Sequence, residues 1–521
     1  MTSAAAAESE GATVRSLIPA RIDRLPWSPF FTRMVCALGV AWILDGLEIQ
    51  IASVVTGQLT EKSTLGLTST AAGAIATVYL IGEVIGALVF GKLSDRLGRR
   101  RLFMVTLGIY LFGSGLTALT FGHGPGWVAY LYLTRIIAGI GIGGEYAAIN
   151  SAIDEMMPAR FRGRVDIAVN GTYWGGALVA TLASLIITRA IPVSVGWRIA
   201  FLIGPVLGLV ILFVRKNLPE SPRWLLMHGR VEEAEETIAR IERHIQEQGG
   251  HLDDVDESRA IEVKPEKDMG YLTLLRVLFR DMPARSVLGA SLMITQSFLY
   301  NAIFFTYALV LKKFYGVSDS ATPFYFIAFA AGNLLGPLTL GHLFDTLGRK
   351  RMIAGTYLIS GALLVVVAAL FQAGFLNAIT QTIAWSVIFF FASAGASAAY
   401  LTVSEIFPIE VRAKAIAVFF AIAQGFGSLG PTIYGALIGD GSNRTTLFIG
   451  YLLGAAVMIL GGLVEVFLGV AAEGRSLEDI ATPLSAVRTK VSSGVNALKT
   501  GAAGIDLTPP GTTKPTGRLA G

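Results

Sequence analysis

Cysteine is almost missing from this chain of 521 residues. Cys36 stands alone, so no intramolecular disulfide can form. Its apolar surroundings predict a small buried hydrophobe. Charge is also scarce: 15% of residues are Asp, Glu, Lys or Arg, against roughly 25% in soluble domains. There are 5 histidines and no Cys/His spacing of a metal site. No P-loop and no nucleophile elbow occurs, which leaves no catalytic constellation and no nucleotide-driven motor. The expectation is a protein that is not an enzyme and needs no metal or cofactor.

What is abundant is apolar. Hydrophobic residues make up 53% of the chain, and the mean hydropathy is +0.61. The formal net charge of +5 could point to nucleic acid. Its distribution argues otherwise, because the basic residues cluster in alternate loops between long apolar runs, the pattern of a membrane protein's cytoplasmic side. The lipid bilayer is therefore a partner and nucleic acid is not.

One motif occurs twice. Residues 91–101 read GKLSDRLGRRR and residues 341–351 read GHLFDTLGRKR, so Asp95 and Arg99 match Asp345 and Arg349 at an offset of 250. Glu155, Pro158 and Arg162 match Glu405, Pro408 and Arg412 at the same offset. Two similar halves in the same orientation characterise many helical transporters.

Stretches long enough to cross a hydrocarbon core are expected near 34–56, 69–93, 102–121, 127–151, 165–188 and 196–214. Six more are expected near 286–311, 322–345, 352–371, 379–403, 413–438 and 445–470. The fold class is thus all-α: twelve transmembrane helices in two six-helix bundles, 34–214 and 285–470. The tails 1–33 and 471–521 and the interval 215–284 are expected in the cytoplasm of a multi-pass plasma-membrane protein, the inner membrane of a cell that has two. Within the interval, Val231, Ala234, Ile238, Ile241 and Ile245 recur at helical spacing, which predicts an amphipathic helix over 231–247 lying on the cytoplasmic face. The polar stretch HLDDVDESRAIEVKPEK is expected to be mobile, and the tail after about 485 disordered.

Ionisable groups inside a bilayer are costly and mark candidate sites. Asp45 and Glu48 are three apart on one helix face, with Arg135 as the natural counter-charge. Glu83 shares a face with Tyr79 and either lines a cavity or bonds across a glycine-rich contact. Glu145 is expected near the cytoplasmic end of its helix, and Glu465 at the periphery. Glycines 139, 141, 143 and 144 permit close helix packing rather than phosphate binding. A midplane substrate site draws on Asn170, Tyr173 and Trp174 in the fifth helix and Gln296, Tyr300 and Asn301 in the seventh. Asn333, Tyr400 and Gln424 add to it from the eighth, tenth and eleventh. Amides offer donors and acceptors, and aromatic faces stack on rings.

Over residues 30–480 the chain resembles the major facilitator superfamily, on the strength of the doubled motif. PESPRWLL at 219–226, RIIAGIGIGG at 135–144, SEIFP at 404–408 and EGRSLEDI at 473–480 are similar to sugar porters, and Gln296 and Asn301 keep the spacing of a sugar-binding pattern. Ala399-Tyr400 replaces the Pro-Trp of hexose carriers, and DGLE at 45–48 resembles metabolite:proton symporters instead. The resemblance implies a proton-coupled symporter of a small organic metabolite, a sugar or polyol or a small carboxylate, working as a monomer. It casts Glu48 as proton carrier and Arg135 as its partner, with Asp45 beside them. It also implies that Asp95 sits at the N-terminal end of the eleventh helix, and that Arg99, Glu145, Glu155, Asp345, Arg349, Glu405 and Arg412 take part in gating. An uncoupled facilitator or exporter of the same fold and a non-transporting nutrient receptor are the alternatives.

Overall fold

The computed structural model describes residues 14–481 apart from 60, 61, 68, 216–218, 264–269, 319, 320, 410 and 440. The apolar runs fold as helices because a chain with few polar side chains satisfies its backbone within each segment. In chain order they are α1 (Ile18–Arg24), α2 (Pro29–Gln58), α3 (Ser69–Leu97), α4 (Arg99–Ala118) and α5 (Pro125–Met156). There follow α6 (Ala159–Gly171), α7 (Tyr173–Ala190), α8 (Val193–Arg215), α9 (Pro222–Met227), α10 (Val231–Glu247) and α11 (Tyr271–Arg276). The second part holds α12 (Pro283–Tyr315), α13 (Thr322–Leu340), α14 (Leu343–Thr346), α15 (Arg349–Gln372), α16 (Ala378–Ile406), α17 (Arg412–Gly427), α18 (Leu429–Ile438), α19 (Arg444–Leu468) and α20 (Leu477–Ile480). Among the described residues, 8 helices are by length and composition able to cross a membrane. The expected fifth and eleventh rods are each interrupted, at Thr172 and Ser428, so neither forms one continuous helix.

Each copy of the repeated motif turns on a glycine with positive φ, Gly98 at 79° and Gly348 at 105°. Side chains bearing a Cβ are strained there, so both copies carry glycine where one helix ends and the next begins. Close packing sets the first half. A methyl at Gly143 of α5 would lie 2.0 Å from the Glu83 carbonyl of α3, and one at Gly86 would lie 2.1 Å from the Ile140 carbonyl. The α5 glycines therefore let two backbones meet, as their spacing implied.

The tail and the central interval hold more structure than their composition suggested. The first long helix begins at Pro29 rather than near 34, and α1 precedes it. Val14–Ser16 (β1) pairs antiparallel with Ile261–Val263 (β2), within the stretch expected to be mobile. The amphipathic helix forms over Val231–Glu247 and buries Ala234, Ile238, Ile241 and Ile245 against α1, α9 and the start of α2. Cys36 is exposed on α2, not buried, since its side chain falls on the helix's outer face. Glu465 is fully buried rather than peripheral, because α19 packs that face on α15 and α12. The tail after 481 lies outside the described residues.

Candidate functional site

A central cavity of about 130 Å³ lies between the two halves. Asn170, Tyr173, Trp174, Gln296, Tyr300, Asn301, Tyr400 and Gln424 line it, eight of the nine residues singled out for a substrate site. Asn333 does not. It is fully buried, accepts a hydrogen bond from the Tyr300 hydroxyl at 2.9 Å, and so orients a lining side chain from behind. The lining also includes Trp42, Tyr146, Ser297, Phe304, Ser393 and Ser397, which sequence reasoning missed. Trp42 and Tyr146 lie within four residues of Asp45 and Glu145, and that proximity was the available signal.

Two aromatic clusters shape the cavity. Trp42 of α2 meets Tyr146 of α5 edge-on at 4.7 Å between centroids and Tyr400 of α16 at 5.6 Å. Tyr146 and Tyr400 lie nearly parallel, 14° between planes at 6.1 Å. The second cluster is Trp174 of α7 with Tyr300 at 5.7 Å and Phe304 at 5.6 Å, both of α12.

Behind the lining stand buried acids. Glu48 pairs with Arg135, and both are 0% exposed. Glu48 also accepts from Ser114 Oγ at 2.8 Å and Tyr110 Oη at 3.0 Å. The remaining guanidinium nitrogens of Arg135 have no hydrogen-bond partner among the described residues. Its carbon instead lies 4.5 Å from the Tyr79 centroid and 5.0 Å from that of Phe201, where ring faces attract a cation. Asp45 is not in that pair. It accepts from the Tyr146 hydroxyl and, at 3.4 Å, from the Tyr79 hydroxyl. The two acids on one helix face thus have different partners.

Glu83 of α3 reaches the second half. Gln424 Nε2 of α17 donates to it at 3.3 Å, and Ser297 Oγ donates to Gln424 Oε1 at 2.8 Å. Glu145 lies deeper than expected: it shares a small recess with Asp45, Trp42 and Tyr146 instead of sitting at the helix end, because α5 continues to Met156.

At the end bearing the basic loops, Glu405 accepts from Arg349 Nε at 3.1 Å and from Arg162 Nη1 at 3.3 Å. Arg349 also pairs with Asp345. Asp345 in turn accepts from the backbone amides of Gly163 at 3.2 Å and Arg164 at 2.8 Å. A carboxylate of the second half is therefore seated on backbone amides of the second turn of α6. Arg412 donates to the Phe407 carbonyl at 3.2 Å. Glu155 is fully buried nearby, and its carbonyl accepts from Arg223 at 3.0 Å. The side chains of Asp95 and Arg99 lie outside the described residues. A methyl at Gly91, four residues before Asp95, would lie 2.5 Å from the Ala417 methyl, so the end of α3 rests on α17.

The model of the sugar (and other) transporter family matches residues 45–484. The niacin transporter NiaP of Acinetobacter baylyi is 28% identical over 88% of this chain and 98% of its own length. The glucose transporter GlcP of Staphylococcus epidermidis is 25% identical over 80% of this chain and 89% of its own. Among solved structures, the proton:xylose symporter XylE bound to 6-bromo-6-deoxy-D-glucose aligns with a TM-score of 0.73 at 22% identity, covering 87% of this chain and 98% of that one. An inward-open XylE from E. coli aligns at 0.61 and 20% identity, covering 87% and 99%. The fold is that of the major facilitator superfamily, the family's described members are transporters and not enzymes, and this chain belongs to the sugar (and other) transporter family.

Proposed function

We propose that this transporter is a proton-coupled symporter of a small organic metabolite, working by alternating access around the central cavity. The observation that carries the reading is the fully buried Glu48–Arg135 pair beside a cavity of amide and aromatic side chains. A buried pair is held together by mutual charge. Protonating Glu48 cancels that attraction and leaves Arg135 to the rings of Tyr79 and Phe201 and to Asp45 beyond Tyr79. The pair can thereby bias two arrangements of α2 and α5 according to whether a proton is loaded.

The network of Asp345, Arg349, Glu405 and Arg162 closes one end of the cavity and must part for substrate to leave there. We read that end as cytoplasmic from its basic loops. This places both termini and the interval 215–284 inside the cell, with twelve crossings, in the plasma membrane or the inner membrane of a cell that has two. A cavity lined from both halves of one chain is compatible with a monomer as the working unit, and we read the chain as acting so. Amides and aromatic faces suit a sugar or polyol. A small carboxylate fits less well, because among the described lining residues there is no Lys, Arg or His. The relatives named for niacin, glucose and xylose are consistent with a small polar substrate.

The alternative is an uncoupled carrier in which the same pair merely locks two helices. Purified protein in liposomes under an imposed inward proton gradient separates the two. D-glucose, nicotinate and benzylamine serve as test solutes. Accumulation above equilibration that collapses with a protonophore is expected for one of them. Equilibration alone, unaffected by the gradient, would identify the uncoupled carrier.

A further inference from the structure

With Glu48 ionised, Arg135 pairs with Glu48 and not with Asp45. Asp45 is nearly fully buried, and its hydrogen-bond partners among the described residues are the hydroxyls of Tyr79 and Tyr146 rather than a cation. Its partners are two phenol hydroxyls, both donors, which is what an ionised carboxylate accepts. One of these phenols, Tyr146, is itself a wall of the cavity and stands between Asp45 and the open space. A phenol donating to a carboxylate gains electron density in its ring. That strengthens the ring's attraction for a cation at its face. Trp42 and Tyr400 complete the same aromatic wall.

The charges around the cavity are one-sided. Asp45 lies behind Tyr146, and Glu83 lies behind Gln424. Arg135, the buried cation of this region, is already paired with Glu48. The second cluster, Trp174 with Tyr300 and Phe304, is backed by the neutral amide of Asn333. The cavity is therefore polarised, with a negatively backed aromatic wall and a neutral aromatic cluster.

We propose that the cavity selects an organic cation bearing a flat apolar ring. Its positive group lies on the Trp42–Tyr146–Tyr400 wall with Asp45 as counter-charge, and its ring lies against the Trp174 cluster. This rests on the cavity being the substrate site and does not depend on proton coupling.

The test uses the full chain purified in detergent, with no gradient, and three probes sharing one ring: benzyltrimethylammonium, benzyl alcohol and benzoate. D-glucose is the fourth. Thermal shift and isothermal titration should show the cation binding about tenfold more tightly than the alcohol, with benzoate and glucose weaker still. Asp45→Asn should remove that preference and leave alcohol binding in place. Tyr146→Phe keeps the ring and loses the hydroxyl, so it should lower cation affinity several-fold even if Asp45→Asn does not fold. Benzoate or glucose binding as tightly as the cation, no measurable cation binding, or an unchanged preference in folded Asp45→Asn and Tyr146→Phe overturns the proposal. Trp174→Ala and Gln296→Ala separate the layers. If neither alters the binding of any probe, the cavity is not the substrate site. If they do and glucose or benzoate prevails, only the charge assignment fails.

Discussion

The side-chain amide of Gln424 donates to the carboxylate of Glu83 at 3.3 Å, so a residue lining the cavity from the second half is tied to a buried acid of the first. Glu83 is fully buried, and a buried acceptor that loses its donor carries the cost of its own desolvation. Gln424→Ala should destabilise the fold by about 1–3 kcal/mol and slow uptake. Glu83→Gln keeps an amide pair across the same gap and should cost little stability while altering transport. Thermal unfolding and initial uptake rates decide this. Equal melting temperatures for Gln424→Ala and the native chain would show that the bond carries no weight.

Glu48→Gln has the shape of the protonated acid and none of the carboxylate charge. It should abolish gradient-driven accumulation and keep substrate exchange, because exchange requires no net proton release. Glu48→Ala should be worse folded, since it leaves Arg135 buried without a partner, a loss of about 3–5 kcal/mol. The double variant Asp45→Asn, Glu48→Gln removes the neighbouring acid as a substitute carrier. Full accumulation in that double variant would pass the proton role to Glu83.

Asp345→Asn leaves the side chain's shape intact and removes the charge that sits on Gly163 and Arg164 and pairs with Arg349. Transport should slow several-fold at normal membrane abundance, because the closed arrangement of that end loses part of its differential stability. By the sequence repeat alone, Asp95→Asn at the other copy is expected to slow transport as well. Unchanged uptake in Asp345→Asn would reduce the motif to a topology signal.

Much of this was readable from residues alone because membrane helices announce themselves by length and because the duplicated motif relates the halves. Six lining residues followed from polar and aromatic side chains clustered within the fifth and seventh helices, and Tyr400 and Gln424 were added as single polar candidates on the tenth and eleventh. Trp42 and Tyr146 did not, since an aromatic in an apolar run fits lipid, core and cavity equally, and the one cue was their nearness to Asp45 and Glu145. Asn333 is a residue of the right type, yet it turns to Tyr300, which residue type alone cannot reveal. Pairing of Val14–Ser16 with Ile261–Val263 joins segments far apart in sequence and has no local signature. The break at Thr172 carries no proline to mark it, whereas Pro431, three residues past Ser428, is a local signal for the second break. Glu465 looked peripheral because the lipid and neighbour faces of an apolar helix are compositionally alike.

Topology has a direct check once Cys36, a thiol exposed on the surface of α2, is removed from the background. With Cys36 replaced by Ser, Arg240→Cys places a thiol on the exposed face of α10. A membrane-impermeant maleimide should leave it unlabelled in intact cells and label it after permeabilisation. Strong labelling in intact cells would invert the orientation and move the Asp345 network to the outer side.

The last prediction concerns the clasp between tail and interval. Glu242 of α10 accepts from Arg21 Nε at 3.0 Å and from Arg24 Nη2 at 2.6 Å, both of α1. Partial burial pushes its carboxyl upward, but the hydrogen bonds from Arg21 and Arg24 outweigh that and hold it below the ordinary glutamate value. A depressed folded value means stability that is fully present above the unfolded value of about 4.3 and is lost as pH falls through the folded one. The clasp should therefore stay closed across the neutral range and open only in acid. Spin labels at Arg15→Cys and Arg240→Cys in the Cys36→Ser background would report it. The distance distribution should be narrow at neutral pH and broaden below about pH 4. Adding Glu242→Gln should broaden it at neutral pH and remove the acid step. A distribution that opens near pH 6, or a Glu242→Gln variant as narrow as its parent, would show that other contacts hold α1 in place.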